Sequence, residues 1–239
     1  MEPEFDSSGI FGSIHQILNT LFLTYDETYG NSEEKFLKPL FNFVARFIIK
    51  YLTRLNKNNE IVQSQDIILA VQDSPLLQYR CNKCIRISKF HRLQNKDFVQ
   101  HDPEMLIINK PVIVNDLYDE IEAGQNIWLE ILESQIDQWK SQEYESYTNS
   151  RPKKHFGSNL SSFLKFLNYT TDKGVDGRHY SFSNETLSIL AFLATSCIKD
   201  VGFLIYASRK TAGLNMERRP VTKTEIQMAI KRIEQSKLY

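Results

Sequence analysis

Apolar residues recur every three or four positions along most of this chain, and they do so in the same order twice. A short stripe from Ser13 to Leu23 precedes a long one from Phe36 to Leu55, and a short segment follows from Ser64. The order short, long, short returns after Ser158. This spacing is typical of amphipathic helices. The sequence therefore predicts an all-α fold that contains two helix trios.

In the first trio, polar residues and one proline indicate where the helices begin. Ser13 fits the start of a capping box. Pro39 is tolerated in a first turn but would kink a helix that began a turn earlier, so we expect the long helix to begin near Phe36. Glu60 to Gln63 is predicted to be extended, and Ser64 is predicted to cap the third helix.

The second trio repeats this outline with clearer signals at the helix starts. A short apolar stripe covers Leu160 to Leu167, and a loop is predicted to follow it. The long helix is expected to run from a cap at Ser183 or the next residue to about Lys210. Thr222 and Glu225 form a capping-box pattern ahead of the last short helix.

Two further helices are predicted between the trios. Leu76 to Leu93 has helical spacing with one basic side, and a long acidic amphipathic helix is expected from a cap at Asn115 to about Lys140. We predict three units, namely residues 11–94, 95–157 and 158–239. The candidate partner-binding residues are the acidic side chains near the start of the second of these helices: Asp116, Asp119, Glu120 and Glu122.

Charge is distributed unevenly although the net charge is zero. Residues 1–150 hold 14 Lys and Arg against 22 Asp and Glu, whereas residues 151–239 hold 15 against 7. This asymmetry favours protein partners over nucleic acid, because a DNA-coating protein is normally basic overall. No stretch has the roughly 18 apolar residues of a membrane span, and no secretory or transit signal is evident. We expect a soluble protein whose three cysteines are reduced.

The sequence offers little support for metal binding or catalysis. Cys81 and Cys84 have the spacing of a metal-binding pair, with His91 and His101 as conceivable further ligands, but a second tight pair is absent. Two cysteines on one helix face is the favoured interpretation. Cys197 lies on an apolar stripe and is predicted to be a core residue. The common nucleotide-binding, hydrolase and metalloprotease motifs are missing, so we predict no cofactor and no enzymatic activity.

The junctions before the third helix of each trio carry a family resemblance. Ile61 to Ile68 resembles the loop-to-third-helix junction of histone-fold proteins, and Pro220 to Ile230 resembles it more closely. With the order of the helices and the linker, about two thirds of the chain resembles the SPT-three subunit family of the SAGA transcription coactivator. The halves of that family are similar to subunits thirteen and eleven of TFIID. Pro39 departs from the pattern, and so does the low charge of Ser161 to Asn168.

The resemblance implies an intramolecular histone-fold pair in a nuclear, non-enzymatic coactivator subunit that binds the TATA-binding protein and other subunits of the complex. The acidic helix would complement the TATA-binding protein, which is basic. Contact with DNA would be indirect or weak, and no membrane contact is expected. The residues expected at the core of the pair are apolar or aromatic and lie on the long helices and the last helix: Phe43, Val44, Phe47, Ile48, Tyr51, Leu190, Ala194, Ile198, Val201, Ile226 and Ile230.

Other interpretations remain open at this point. The acidic helix is equally well explained as a solvated outer face, and Arg151 to Lys154 fits either a linker or a nuclear-import signal. A histone-like DNA-binding protein of chromatin or kinetochores is an alternative, as is an unrelated helical enzyme. The basic residues that would serve DNA binding lie in or beside the loops of the second trio: Arg178, Arg209, Lys210, Arg218 and Arg219.

Overall fold

A computed structural model of the chain describes eight ranges of residues and four further positions. These are 8–22, 33–55, 61–94, 110–138, 160–174, 180–214, 221–236 and 238–239, with 140, 141, 145 and 156. The predicted cluster Arg151 to Lys154 lies outside them, as do His101, Arg178, Arg218 and Arg219.

The described chain is mostly helical, which confirms the all-α prediction. The first trio comprises α1 (Ser8–Phe22), α2 (Glu33–Leu52) and α3 (Ser64–Ala70), with β1 (Ile61–Val62) ahead of α3. Two helices follow, α4 (Pro75–Gln94) and α5 (Asp116–Ile136). The second trio comprises α6 (Leu160–Gly174), α7 (Asn184–Thr211) and α8 (Lys223–Gln235), with β2 (Ser181–Phe182) ahead of α7.

The long helix α7 lies at the centre of the structure and contacts each of the other seven described helices. Nineteen of its residues are buried, among them Leu190, Cys197 and Phe203. It alone among the described helices is long and apolar enough to cross a membrane. Of its most apolar 18-residue segment, 78% is buried inside the protein. The other helices therefore supply the apolar surroundings that this sequence needs.

The two trios pack against each other. Helices α1 and α2 both contact α6 and α7, and α2 also contacts α8. Strands β1 and β2 pair in parallel, with Ile61 opposite Ser181 and Val62 opposite Phe182. The carbonyl of Val62 also accepts hydrogen bonds from the Ser183 N–H at 3.2 Å and from the Thr186 hydroxyl at 2.9 Å. The loop before α3 is thereby joined to the start of α7.

One hydrophobic cluster includes residues of all three predicted units, such as Leu37, Ile121 and Phe166. The helix α5, which we expected in a separate connector, packs on α7 more extensively than any other described pair of elements. All eleven residues predicted for the core of the pair are buried in this cluster. Cys81, Cys84 and Cys197 are buried in it as well.

Helix starts in the second trio agree with the capping signals. Ser183 caps α7 by accepting a hydrogen bond from the Thr186 N–H at 3.2 Å. The Thr222 hydroxyl accepts from the Glu225 N–H at 3.2 Å, while the Glu225 carboxylate accepts from the Thr222 N–H at 2.8 Å. The capping box predicted from these two residues is confirmed, as is the Asn115 cap of α5.

Helix starts in the first trio differ from the prediction. The helix α1 begins five residues before Ser13, whose hydroxyl donates to the Gly9 carbonyl at 3.0 Å and caps nothing. The helix α2 begins at Glu33, so Pro39 lies inside it and leaves one carbonyl without its usual N–H donor. The cap of α3 is Gln63, one residue earlier than predicted.

The helix α6 is longer than its apolar stripe indicated. It extends through Gly174, although we predicted a loop from Tyr169. The Thr170 side chain is buried, and its hydroxyl donates to the Leu167 carbonyl at 2.8 Å. A buried hydroxyl that bonds a carbonyl of its own helix has a hydrogen-bond partner without leaving the helix. A polar residue at this position is therefore compatible with the helix, and polarity alone predicted its end wrongly.

We predict that Gly124→Ala destabilises the fold by about 1 to 3 kcal/mol, because a close-packed core cannot absorb an added methyl group without strain. A Cβ at Gly124 would lie 1.9 Å from the carbonyl oxygen of Phe203 in α7. Urea denaturation gives the free energy of unfolding. Gly12→Ala is the matched control, because a Cβ at Gly12 meets no atom within 4 Å. Equal unfolding midpoints for the two variants would contradict the close approach of α5 to α7.

Candidate protein-interaction surface

Helix α5 has one face fixed against the core and one face exposed. On the buried side, the backbone of Gly124 lies against the backbone of Phe203. The centroids of the Trp128 and Phe203 rings are 5.8 Å apart. Leu117, Ile121 and Ile127 are also buried there. Because the contact involves backbone on both sides, the rotation of α5 about its own axis is fixed. The residues on the opposite face are therefore presented in one orientation.

The exposed face of α5 carries an acidic ridge, which we define as Asp116, Asp119, Glu130, Glu133 and Asp137. All five side chains are exposed. They follow the spacing of one helix face, with exposed Ala123 and Asn126 between them. The first and last members lie about 30 Å apart along the axis at the rise of an α-helix. This arrangement forms a long negatively charged surface.

Only part of the predicted acidic set belongs to the ridge. Asp116 and Asp119 are in it, but Glu120 accepts two hydrogen bonds from Arg232 of α8 at 2.5 and 2.6 Å. Glu122 forms an ion pair with Lys110. Because Glu120 and Glu122 have intramolecular partners, we do not count them in the ridge; their role in partner binding stays a prediction. Glu130, Glu133 and Asp137 were not among the predicted partner-binding residues, although their spacing from Asp116 shows that they share its face.

A buried ion pair joins α4 to α7. Two nitrogens of Arg80 donate to the Asp200 carboxylate at 2.7 and 2.8 Å, and the Asp200 side chain is only 3% exposed. Tyr239 donates its hydroxyl to the same carboxylate and accepts from Arg80 at 3.1 Å. Burial raises the pKa of Asp200, while the charge of Arg80 opposes that rise. This cluster fixes α4, which has a weak apolar stripe of its own, at one place on α7.

Each trio contains an arginine at the end of its long helix that pairs with an acid near its last helix. Arg54 donates to Asp73 at 2.7 Å, and Arg209 donates to both oxygens of Glu225 at 2.7 and 3.0 Å. The Arg209 side chain is 2% exposed and lies over the Phe22 ring of the first trio. Arg209 is therefore a core residue, and of the basic side chains considered for DNA contact the structure describes only Lys210 as exposed.

The cysteines are poor candidates for nucleophilic catalysis or metal binding. Burial raises the pKa of Cys81 to about 12 and that of Cys84 to about 11, so both thiols are protonated at neutral pH. Burial also raises the pKa of Cys197. Within the part of the chain that the structure describes, no group of three or more His, Cys, Asp or Glu side chains lies close enough to hold a metal ion. The side chain of His91 is outside that part.

Comparison of this chain with protein-family models, curated proteins and solved structures gives no significant match. The candidate surface therefore rests on geometry: an acidic ridge, held in a fixed orientation by close packing, on a helix between two paired trios.

We predict that Asp200→Leu lowers the free energy of unfolding by about 3 to 5 kcal/mol, because it leaves the charge of Arg80 buried without a partner. The double variant Arg80→Met/Asp200→Leu should recover most of that loss, since neither charge is then buried. Denaturation of the three proteins in urea measures both effects. Arg46→Ala, which breaks an exposed pair with Glu234, is the control and should cost about 1 kcal/mol or less. A double variant as unstable as the single one would refute the explanation.

We predict that Glu225 makes folding stability depend on pH in the acidic range. Burial opposes its ionisation, but hydrogen bonds from Arg209 and Thr222 hold its pKa at about 2, below the usual 4.5. A carboxyl group whose pKa is lower in the folded state than in the unfolded state stabilises the fold at pH values above the unfolded-state pKa. That contribution should be lost as the pH falls from 4.5 towards 2. Thermal unfolding of wild type and Glu225→Gln across this range tests the prediction, which fails if the two curves stay parallel.

Proposed function

We propose that the two trios form an intramolecular histone-fold pair, and that this chain is a non-enzymatic subunit of a SAGA-type transcription coactivator in the nucleus. The observation that carries the proposal is the packing of two short-long-short trios from one chain. Each trio alone would expose a broad apolar face, because three helices cannot enclose a long helix on both sides. The contacts of α1 and α2 with α6 and α7, and the β1–β2 bridge, support mutual burial of those faces.

Polar contacts across the two trios support the same pairing. The hydroxyl of Tyr206 in α7 donates to the Leu21 carbonyl near the end of α1 at 2.6 Å. The hydroxyl of Tyr180 donates to the carbonyl of Leu52, the last residue of α2, at 3.3 Å. Carbonyls in the last turn of a helix lack intrahelical donors. The Leu52 carbonyl also accepts from the Leu55 N–H at 3.0 Å. Each tyrosine thus adds a bond from the second trio to a carbonyl near a helix end of the first trio, and this favours two trios that belong together.

We propose the TATA-binding protein as the partner of the acidic ridge. A basic partner is the electrostatic complement of a ridge with five exposed carboxylates, and complementary charge raises association rate and specificity. The ridge is well placed for this role because the core fixes α5 and leaves its outer face exposed. A scaffold subunit would therefore present one rigid charged surface to its partner.

Histone-like DNA binding is the alternative. Burial of Arg209 and its pairing with Glu225 count against it, because this guanidinium is buried and already donates to both oxygens of Glu225. The exposure of Lys210 is compatible with DNA binding. A salt-sensitive shift of duplex DNA in a gel at low ionic strength would favour it. The absence of a shift there would favour the coactivator proposal.

We predict that neutralising the ridge with Asp119→Asn, Glu130→Gln and Glu133→Gln weakens binding of the TATA-binding protein about tenfold at low salt. The loss should shrink at high salt, because mobile ions screen exposed charges. Titration by isothermal calorimetry at two salt concentrations measures both effects.

A matched control adds the same net charge elsewhere on the surface. The control carries Gln65→Lys on α3, Gln72→Lys just after α3, and Gln227→Lys on α8. All three side chains are exposed. If the control weakens binding as much as the ridge variant does, net charge and not the ridge governs the interaction. Wild-type affinity in the ridge variant would rule out the ridge as the binding surface.

A further inference from the structure

The chain returns to the core after α8. Leu238 is 6% exposed and belongs to the hydrophobic cluster. Its carbonyl accepts a hydrogen bond at 3.3 Å from the hydroxyl of Ser74, which lies just before α4. The carbonyl of Ser236 accepts one at 3.3 Å from the side chain of Asn115, the cap of α5. We call Ser236, Leu238 and Tyr239 the tail.

Tyr239 joins three helices. Its ring packs edge to face against Phe47 of α2, with the ring centroids 5.5 Å apart, and its backbone oxygen accepts from Lys50 of the same helix. Its hydroxyl donates to Asp200 of α7 and accepts from Arg80 of α4 at 3.1 Å. The tail therefore connects α2, α4 and α7 with the cap of α5.

The attachment of α4 to the core is limited to the first half of the helix. Among the described elements, α4 packs extensively against α7 alone. None of the four described side chains that follow Cys84 is buried. Regions with few buried apolar contacts open at a lower free energy than the core does. The polar contacts of Arg80 therefore contribute a large part of what holds α4. The buried apolar side chains of α4 are Leu76, Leu77, Cys81 and Cys84.

The two trios are joined at places that the tail does not touch. Strands β1 and β2 pair directly, and the Ser183 N–H donates to the Val62 carbonyl beside them. The Tyr206 hydroxyl bonds the Leu21 carbonyl at another point. The helix α5 has one bond to the tail, but its packing on α7 is the most extensive of any described pair of elements. Loss of the tail contacts should therefore affect α4 most.

We propose that the tail is a releasable clasp: when it leaves its site, α4 separates from α7 while the two trios stay packed together. Release removes the burial of Leu238 and both hydrogen bonds of the Tyr239 hydroxyl. Only the pair between Arg80 and Asp200 and a small apolar surface then hold α4 in place. The chain thus has a closed state and an open state that differ in the position of α4. The proposal is independent of the coactivator assignment and of the acidic ridge.

Hydrogen exchange of the full chain, measured by mass spectrometry, tests the clasp. The amides of residues 79–84 report on α4, and those in the buried centre of α7 report on global unfolding. Residues 79–84 should exchange at least about tenfold faster than the centre of α7, since α4 opens locally. Tyr239→Phe keeps the ring and removes the hydroxyl. It should speed exchange at residues 79–84 about tenfold or more, because a hydrogen bond to a charged group is lost.

Phe163→Leu is the matched control, because Phe163 is buried in α6 against the rings of Phe156 and Phe166 and not against the tail. It should speed exchange in the centre of α7 by lowering global stability. It should change exchange at residues 79–84 less than about twofold, since the opening of α4 leaves the contacts of α6 intact.

A second variant ends the chain after Ser236 and so removes Leu238 and Tyr239 together. Exchange at residues 79–84 should then be faster than in Tyr239→Phe. The Ser183 amide, which reports on the junction of the trios, should still exchange about a hundredfold more slowly than in an unfolded chain.

Three results would overturn the proposal. Equal exchange at residues 79–84 in wild type and Tyr239→Phe would show that the tail does not hold α4. Equal acceleration of α4 and of the centre of α7 by Phe163→Leu would show that α4 opens only when the whole chain unfolds. Loss of protection at Ser183 in the shortened chain would show that the tail holds the trios together and not α4 alone.

Discussion

Burial of α7 is the constraint on which the rest of the structure depends. Its 28 residues include long apolar stretches on more than one side, so a single neighbouring helix cannot remove them from water. Helices from the first trio, from the second trio and from the segment between them all contact it. The few polar side chains buried on α7 have partners: Asp200 pairs with Arg80, Arg209 pairs with Glu225, and Thr195 bonds its own helix. An apolar central helix with satisfied polar positions therefore organises every other element.

The same constraint determines what the surface can present. Since α5 approaches α7 backbone to backbone at Gly124, one face of α5 is buried and the opposite face is exposed. The charged side chains of the acidic ridge are all carboxylates, with Ala123 and Asn126 exposed between them. Packing in the core therefore fixes which side chains of α5 lie on its exposed face.

Much of the fold could be predicted from the sequence because periodicity and capping are local properties. The Thr222–Glu225 capping box, the Ser183 cap and the Asn115 cap all depend on residues three or fewer positions apart. Errors arose where tertiary contacts override local preference. Pro39 lies inside α2, where burial of the neighbouring Leu37 and Leu40 compensates for a missing hydrogen bond.

The candidate site was only partly predictable for a related reason. Sequence spacing identified α5 as acidic and amphipathic, but it could not distinguish the carboxylates of the acidic ridge from those that pair within the chain. Glu120 and Asp119 are adjacent in sequence, yet Arg232 of α8 reaches only Glu120 in the described structure. That distinction depends on α8, which lies more than 100 residues further along the chain. Long-range packing, and not local composition, decides which acidic residues of α5 pair within the chain.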